Sequence, residues 1–237
     1  MCSSDLTTFA PQLVAQDSAL KLHALFGDHM VLPQQSQVPV RGRCQALAKV
    51  RLTAPWVEDA IEGAADANGR FSVLLPTPAA SGPYEVAVTA GKDTQTLHDV
   101  LVGDVWLGSG QSNMEWKCGW LANCEKDIAK ATHPTIRLFT VRQRISATPV
   151  DDVVGTWQEC TPANVKEFSA TAYFFGRSLQ EVRQQPLGLV VSAWGGTICE
   201  AWTSEPGLKD FPEFTGAIGN VQRSAADTRS FAERAAG

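Results

Sequence analysis

Short alternating runs of apolar and polar residues dominate the first hundred positions of the chain. A period of two is typical of half-buried β-strands, and β-branched residues are concentrated in these runs. Turn residues separate the runs, which lie at 19–26, 37–43, 48–54, 70–75 and 84–90. Strands of this length, without a helical stretch among them, predict an independent small β-sandwich over residues 19–101.

The pattern changes after residue 101. Apolar runs at 105–107 and 187–193 each predict a strand buried in a parallel sheet. Between them an amphipathic helix begins at Phe168 and is stopped by Pro186, with one apolar stripe at 168, 172, 175, 179 and 182. A strand, a crossover helix and a further strand form a right-handed unit of a doubly wound sheet. The sequence therefore predicts an α/β domain over 102–237.

The residues between these two strands predict smaller elements. Short helices are expected over 113–120 and 125–131, and a strand over 135–141. Residues 143–167 read as a long irregular surface loop, in which Asp151 and Asp152 form a solvated turn. Trp157 in this loop has two equally good interpretations, since it could stack on a sugar ring or anchor the loop.

Composition excludes several classes of function. The 237 residues carry a formal net charge of -5 with lysines and arginines scattered singly, which argues against a nucleic-acid partner. No apolar run approaches the roughly 20 residues that span a bilayer, so we expect no membrane segment. The six cysteines and four histidines show no metal-ligand spacing, and we expect no metal and no cofactor. Cys118 and Cys124 could form a disulfide, but free buried thiols are at least as plausible.

The N-terminal tail, residues 1–18, lacks the basic region and apolar core of a secretory signal. It could be a signal remnant or an artefact, and we assign it to neither domain. The oligomeric state is not indicated by the sequence.

The segment 103–114 carries the first candidate chemistry. Gly108 and Gly110 permit a tight turn after the 105–107 strand, and Ser112 would stand on that turn at the carboxyl edge of the sheet. Amides of the following helical turn could then stabilise a developing oxyanion. Local composition alone favours a plain turn, because serine and glycine are common turn formers.

A second glycine pair, Gly195 and Gly196, follows the 187–193 strand. Loops at the carboxyl ends of parallel strands meet in one crevice, so this pair should face the Ser112 turn. Its amides are candidate oxyanion donors, and a simple strand-to-helix turn is the alternative. Because two such turns follow neighbouring strands, an active site is favoured over two simple turns.

These segments resemble a known family. Residues 103–114, Gly-Asp-Val-Trp-Leu-Gly-Ser-Gly-Gln-Ser-Asn-Met, resemble the first block of the sialate O-acetylesterases, a branch of the SGNH esterase superfamily. Residues 194–202, with Trp-Gly-Gly-Thr and Glu-Ala-Trp, resemble its second block, and residues 25–32 resemble its opening signature. The resemblance implies a three-layer α/β/α (flavodoxin-like) SGNH domain, incomplete in this chain, preceded by the β-sandwich.

The resemblance also implies roles for individual residues. Ser112 would be the nucleophile, and the amides of Ser112 and Gly196, with Gly195 as the second choice, would hold the oxyanion. We expect the remaining residues of the two blocks to shape the site: Gln111, Asn113, Thr197, Glu200 and Trp202.

The base that a serine nucleophile needs is missing. The family supplies it from an Asp-x-x-His pair near its carboxyl end, and none of the four histidines here has an aspartate three residues earlier. The resemblance covers nearly the whole chain but only the front part of the family's length. We therefore expect a serine esterase acting on O-acetylated sugars or sialoglycans, almost inactive as this chain alone.

Two alternatives stay open at this point. Related SGNH branches include acetylxylan and other polysaccharide deacetylases. A non-catalytic carbohydrate-binding protein would instead use Trp56 or Tyr84 of the sandwich, if they are exposed on one face. The family resemblance implies a periplasmic or extracellular location for the full-length protein, with the cytoplasm as the alternative.

Overall fold

The computed structural model describes residues 19–146 and 148–226, so the predicted tail at 1–18 and the last residues of the chain lie outside it. The strands are β1 Lys21–Leu22, β2 Val31–Pro33, β3 Gln37–Arg43, β4 Lys49–Thr53, β5 Ile61–Ala64, β6 Arg70–Pro76, β7 Ser81–Ala90, β8 Asp93–Gly110, β9 His133–Thr140, β10 Trp157–Cys160 and β11 Leu187–Ala193. The helices are α1 Ser112–Glu115, α2 Glu125–Ala129, α3 Pro162–Glu167, α4 Ala170–Arg183, α5 Glu205–Leu208 and α6 Thr215–Ala226. Short 3₁₀ helices lie at Cys118–Trp120, Cys199–Trp202 and Pro212–Phe214.

The strands form two sheets. One has the order β1-β3-β6, and the other has the order β10-β9-β11-β8-β7-β4-β5, with β2 also paired to β8. Strand β3 has the predicted bounds, whereas the strand predicted at 19–26 is reduced to Lys21–Leu22. Strand β5 was not predicted, because its four residues include Gly63 and are too few to show a period.

Strand β8 is the backbone of the larger sheet. Its first part pairs antiparallel with β7, and its last part, from Asp104 to Gly110, pairs parallel with β11. The predicted boundary between residues 101 and 102 therefore lies inside one continuous 18-residue strand. The division into two domains stays a prediction, and the overall class is a sheet-rich mixed α/β fold.

The N-terminal strands enclose a core of their own, here called the β core. Strands β4 and β6 alternate buried and exposed residues, as a sheet with one solvated face should. Buried residues of the two sheets meet in this core, including Val40, Phe71, Leu75, Val50, Leu52 and Val88. Trp56 and Tyr84 both pack against this core, and their rings meet edge to face with centroids 4.9 Å apart. Trp56 Nε1 also donates to the Pro76 carbonyl. They are therefore partly buried packing residues and do not form an exposed sugar-binding platform.

Helix α4 covers one face of the parallel strands, and the predicted apolar stripe holds in part: Phe168 and Ala172 are buried and Leu179 packs against the core. Phe175 and Val182 are instead 44% and 81% exposed, and Tyr173 and Gly176 are buried. The reason is close approach at Gly176, where a Cβ atom would lie 2.5 Å from Leu189 Cδ1. Glycine lets the helix axis come close to the sheet on this side. The face that contacts the sheet is therefore centred near Gly176, which differs from the face that side-chain hydropathy predicts.

The opposite face of the parallel strands is covered by the β core among the described residues. Val190 of β11 and Phe139 of β9 belong to that core, and a Cβ on Gly188 would lie 2.9 Å from Val31 Cβ. A helical layer on both faces, as the three-layer expectation requires, is not present in the part of the chain that the structure describes.

The segment 143–167 is less irregular than predicted. Its second half contains β10 and α3, and β10 pairs antiparallel with β9. Trp157 is buried, lies 5.3 Å from the Phe139 ring, and donates from Nε1 to the Leu25 carbonyl at 2.9 Å. It therefore anchors the segment and is not available to stack on a sugar. Asp151 accepts from Arg43 at 2.6 Å, so this turn is tied to β3.

The apolar run at 105–107 forms the predicted strand but is not buried as expected. Trp106 is 46% and Leu107 69% exposed. Over residues 104–110, β8 pairs with β11 along one edge, and no strand of the described residues pairs with its other edge. Within the described ranges, no helix has both the length and the hydropathy needed to cross a bilayer.

The first prediction concerns the close contact between α4 and the sheet. Gly176→Ala should lower the free energy of unfolding by about 1–2 kcal/mol, because overpacking against Leu189 outweighs the gain of roughly 1 kcal/mol in helix propensity. Gly216→Ala is the matched control, since nothing lies within 4 Å of a Cβ there. Urea unfolding of both variants checks this, and equal stabilities would contradict it.

The second prediction concerns the thiols. Cys118, Cys124 and Cys160 are free and buried, and burial raises the pKa of Cys118 and of Cys160 to about 12, whereas Cys199 is exposed. Because the thiolate is the reactive form, iodoacetamide at pH 8 should modify Cys199 and spare the buried thiols until urea unfolds the chain. Peptide mapping measures this, and labelling of Cys118 as fast as Cys199 would contradict it.

Candidate active site

The parallel pairing of β8 with β11 brings the two glycine blocks together. Gly110, at the end of β8, is the register partner of Ala193, at the end of β11, and the Trp194 amide donates to the Gly110 carbonyl at 3.0 Å. A Cβ on Gly195 would lie only 3.6 Å from the Cα of Ser112. The two turns that the sequence singles out are therefore in contact at one edge of the sheet.

Helix α1 begins at Ser112 and folds back over the strand that precedes it. Met114 packs on β8 where the chain has no side chain, since a Cβ on Gly108 would lie 3.0 Å from Met114 Sδ. The other side of α1 is held by α4, because Thr171 Oγ1 donates to the Asn113 carbonyl at 2.7 Å. The four-residue helix is thus fixed from two directions, which its own length could not achieve.

The Ser112 side chain is half-buried and its hydrogen bonds are local. Its Oγ donates to Gln111 Oε1 at 2.9 Å, and its backbone N–H donates to the same oxygen at 3.0 Å. The Gln111 side chain, which is exposed, therefore caps both groups that acyl transfer would require. An amide oxygen orients a hydroxyl but is too weak a base to deprotonate it.

Glu115 joins the two turns through a pair of hydrogen bonds. The Gly195 amide donates to Glu115 Oε2 at 2.6 Å, and Gln143 Nε2 donates to Glu115 Oε1 at 2.5 Å. Gln143 Nε2 also lies 3.3 Å from the Ala193 carbonyl oxygen. The carboxylate therefore clamps the start of the second glycine block against the helix that carries Ser112.

This clamp separates the two candidate oxyanion donors. The Gly195 N–H is already satisfied by Glu115, whereas no acceptor for the Gly196 N–H occurs in the described ranges. Gly196 has a φ of +79°, a left-handed conformation that favours glycine, and it is exposed. The second choice, Gly195, is thus not free to hold an oxyanion in this arrangement.

The other predicted shaping residues divide into two groups. Thr197 Oγ1 donates to the Trp194 carbonyl at 2.7 Å, and Trp202 Nε1 donates to Thr197 Oγ1 at 2.7 Å, so these two close the loop that follows β11. For the side chains of Asn113 and Glu200, the described residues provide no hydrogen-bond or ion-pair partner. Both remain predictions as shaping residues.

Each of the four histidines contacts residues other than Ser112. His133 starts β9, and the strand registers place it level with residue 101 of β8. Nine residues, from 101 to 110, separate that level from the end of β8, a distance of about 30 Å along the strand. His29 contacts Asp99 at 2.7 Å, His98 contacts Asp28 at 3.4 Å, and His23 lies 3.5 Å from Asp152. No histidine of the described residues hydrogen-bonds to Ser112.

One cluster offers ligand-type atoms far from this edge. His29, Asp99 and Glu159 bring such atoms within 4.8 Å of one another. Arg137, which is buried, donates to Asp99 at 2.6 Å, so a cation there would face the guanidinium. We interpret the cluster as an ion-pair network that joins β8 and β9.

Comparison with known proteins identifies the family. Residues 102–230, more than half of the chain, match the family model described as a carbohydrate esterase, sialic acid-specific acetylesterase. The chain belongs to this family. The resemblance to sialate O-acetylesterases that the sequence suggests is therefore confirmed.

Individual members of the sialic acid-specific acetylesterase family agree with the assignment. The chain is 37% identical to the sialate O-acetylesterase of Mus musculus over 155 residues, 60% of this chain and 29% of that protein. The Homo sapiens protein of that name is 37% identical over 152 residues, again 29% of its length. The chain thus spans less than a third of these curated relatives.

A solved structure shares the fold. A carbohydrate acetylesterase from Xanthomonas citri superposes with a TM-score of 0.77 at 36% sequence identity, covering 81% of this chain and 44% of that one. At this identity the likeness supports the SGNH-like assignment made from the sequence.

Sequence reasoning missed Glu115 and Gln143. Glu115 directly follows the Gln-Ser-Asn-Met block, and Gln143 lies in the stretch predicted to be irregular. Neither has a spacing or periodic signal, because their meeting depends on β9, β11 and α1 ending at the same edge.

The clamp leads to a prediction. Glu115→Ala should lower the free energy of unfolding by about 1–2 kcal/mol and speed amide exchange at Gly195, because two donors lose their acceptor. Glu115→Gln keeps one acceptor oxygen, so its free energy of unfolding should lie between those of the wild type and Glu115→Ala. Glu62→Ala on β5 is the control, since Glu62 is exposed and has no partner among the described residues. Urea unfolding and hydrogen exchange test this, and a Glu115→Ala variant indistinguishable from the control would contradict it.

Proposed function

We propose that this chain carries the nucleophile and part of the oxyanion hole of a serine esterase that removes acetyl groups from sugar hydroxyls. The observation that supports it most is the contact between the Ser112 turn and the Gly195–Gly196 turn at the carboxyl edge of parallel strands. A nucleophile and preorganised amide donors at one edge are the minimum that acyl transfer requires.

In this mechanism Ser112 Oγ attacks the acetyl carbonyl carbon. The carbonyl oxygen becomes negative and accepts hydrogen bonds from the Gly196 amide and from the Ser112 amide. The bond between the acetyl carbon and the sugar oxygen then breaks, and the sugar oxygen takes up the proton that Ser112 gave up. Water attacks the acetyl-serine ester, one of its protons returns to the serine oxygen, and acetate leaves. Gly196 is preferred to Gly195 because its N–H has no acceptor within the described ranges, whereas the Gly195 N–H donates to Glu115.

Gln111 must move before the site can work. Its Oε1 accepts from both the Ser112 amide and the Ser112 hydroxyl, and these are the groups the reaction uses. The Gln111 side chain is exposed, so it can rotate away when a substrate carbonyl arrives. We therefore assign Gln111 a positioning role in the resting site.

The proton of Ser112 has no acceptor of suitable basicity among the described residues. General-base assistance is typically worth about 10² to 10⁴ in rate. We therefore propose that this chain by itself hydrolyses esters slowly.

The substrate class follows from the family. Its members are named for sialic acid-specific acetylesterase activity, and the Xanthomonas citri neighbour for carbohydrate acetylesterase activity. We propose O-acetylated sialic acids as substrates, with polysaccharide deacetylation as the alternative within the same chemistry. The purely carbohydrate-binding alternative loses support, because Trp56, Tyr84 and Trp157 are packing residues.

The test uses p-nitrophenyl acetate and imidazole as an external base. Wild-type chain should release p-nitrophenol slowly, and imidazole should raise the rate above that of a Ser112→Ala blank by roughly tenfold or more, because it replaces the missing base. Ser109→Ala, an exposed serine on β8, is the matched control and should behave as wild type.

Acetylation of the Ser112 peptide, detected by mass spectrometry, should accompany the reaction. Equal rates for wild type and Ser112→Ala, with and without imidazole, would refute the nucleophile.

A further inference from the structure

A cleft of about 460 Å³ lies beside the Ser112 turn. Its wall includes Ala193 and Trp194, which directly precede the Gly195–Gly196 turn, and Gln143, which donates to Glu115 of the clamp. The cleft and the candidate site therefore share a boundary. Its volume is within the range of pockets that hold small ligands, of roughly 300–1,000 Å³.

Two arginines line this cleft. Arg142 and Arg144 are both exposed, and both line the cleft on the segment that follows β9. The segment is fixed by its backbone, since the Val141 and Arg142 amides donate to the Val191 and Val154 carbonyls at 2.8 Å. In the part of the chain that the structure describes, neither guanidinium forms an ion pair.

The carboxylate in the cleft does not neutralise these arginines. Asp152 Oδ1 accepts from the Ala24 amide at 2.9 Å and from the Val153 amide at 2.8 Å. Its carboxylate also lies 3.8 Å from Lys21 Nζ and 3.5 Å from His23 Nε2. These four groups hold the Asp152 charge at the edge of the β core, and the cleft keeps an excess of positive charge.

The remaining wall is aromatic. Trp194 and Trp202 both line the cleft, and Trp202 is oriented by its hydrogen bond to Thr197. Indole rings offer flat apolar surfaces to the faces of sugar rings, and paired guanidinium groups bind carboxylates with directed, charge-assisted hydrogen bonds. A ligand that can contact both the indole rings and the guanidinium groups is a sugar bearing a carboxylate.

We propose that this arginine cleft, defined by Arg142, Arg144, Trp194 and Trp202, binds the carboxylate-bearing ring of the acetylated sugar whose ester reacts at Ser112. The proposal rests on the esterase function above and adds the residues that select an acidic sugar. Arg142 and Arg144 are thus specificity residues, remote from the acyl transfer itself.

The test measures binding, so it does not depend on turnover. Calorimetric titration of the chain at low salt compares N-acetylneuraminic acid with its methyl ester, in which the carboxylate is neutral. The acid should bind about tenfold to a hundredfold more tightly than the ester, because hydrogen bonds to a charged group are lost in the ester. The Arg142→Gln/Arg144→Gln double variant should lose this preference.

Arg51→Gln is the matched control, because Arg51 is an exposed arginine on β4 that has no ion pair among the described residues. It should keep the preference for the acid, and thermal unfolding should show that the double variant is folded. Equal affinity for acid and ester, an unchanged preference in the double variant, or no binding of the acid would each overturn the proposal.

A Ser112→Ala chain separates the two proposals. It should bind N-acetylneuraminic acid as tightly as wild type while losing p-nitrophenyl acetate cleavage. If the carboxylate-binding proposal is wrong, cleavage of p-nitrophenyl acetate, a neutral ester, is unaffected. If the assignment of Ser112 as the nucleophile is wrong, the preference for the acid over its methyl ester is unaffected.

Discussion

The parallel hydrogen bonding of β11 to the last seven residues of β8 is the constraint on which the candidate site depends. It sets Gly110 opposite Ala193, so the two loops that follow must leave the sheet side by side. A slip of one residue would invert every side chain of β11 and move Val190 out of the β core. Burial of β11 on both faces therefore fixes the register, and the register fixes the site.

The clamp at Glu115 converts this backbone geometry into a defined loop conformation. Among the described residues, the hydrogen bond from Gly195 to Glu115 is the one that joins the Gly195–Gly196 turn to helix α1. Glu115 accepts from the Gly195 amide, whereas the neighbouring Gly196 amide has no acceptor among the described residues. In the proposed esterase, positioning and oxyanion binding are thus assigned to adjacent peptide groups.

Structural support and the proposed binding of the substrate carboxylate involve the same segment of the chain. Between β9 and β10, Arg142 and Arg144 line the arginine cleft, Gln143 supports the clamp, and Asp151 and Asp152 attach the segment to the β-rich strands. Gln143 lines the same cleft and also donates to Glu115, so the cleft and the clamp share this segment. Contacts of Arg43 and Ala24 with these two aspartates therefore hold the segment that lines the cleft.

The sequence by itself determined the strands of the two glycine blocks, their order around a helix, the family, and Ser112 as the residue to test. These depend on local periodicity and on short motifs, which are read along the chain. The phase of α4, the exposure of Trp106 and the burial of Trp157 were decided by tertiary structure, through a close approach at Gly176, an unpaired strand side and a contact with Phe139. The Glu115 clamp and the pairing of Arg142 with Trp202 in one cleft also join residues distant in sequence. No local pattern encodes such contacts, because they exist only once the strands have aligned.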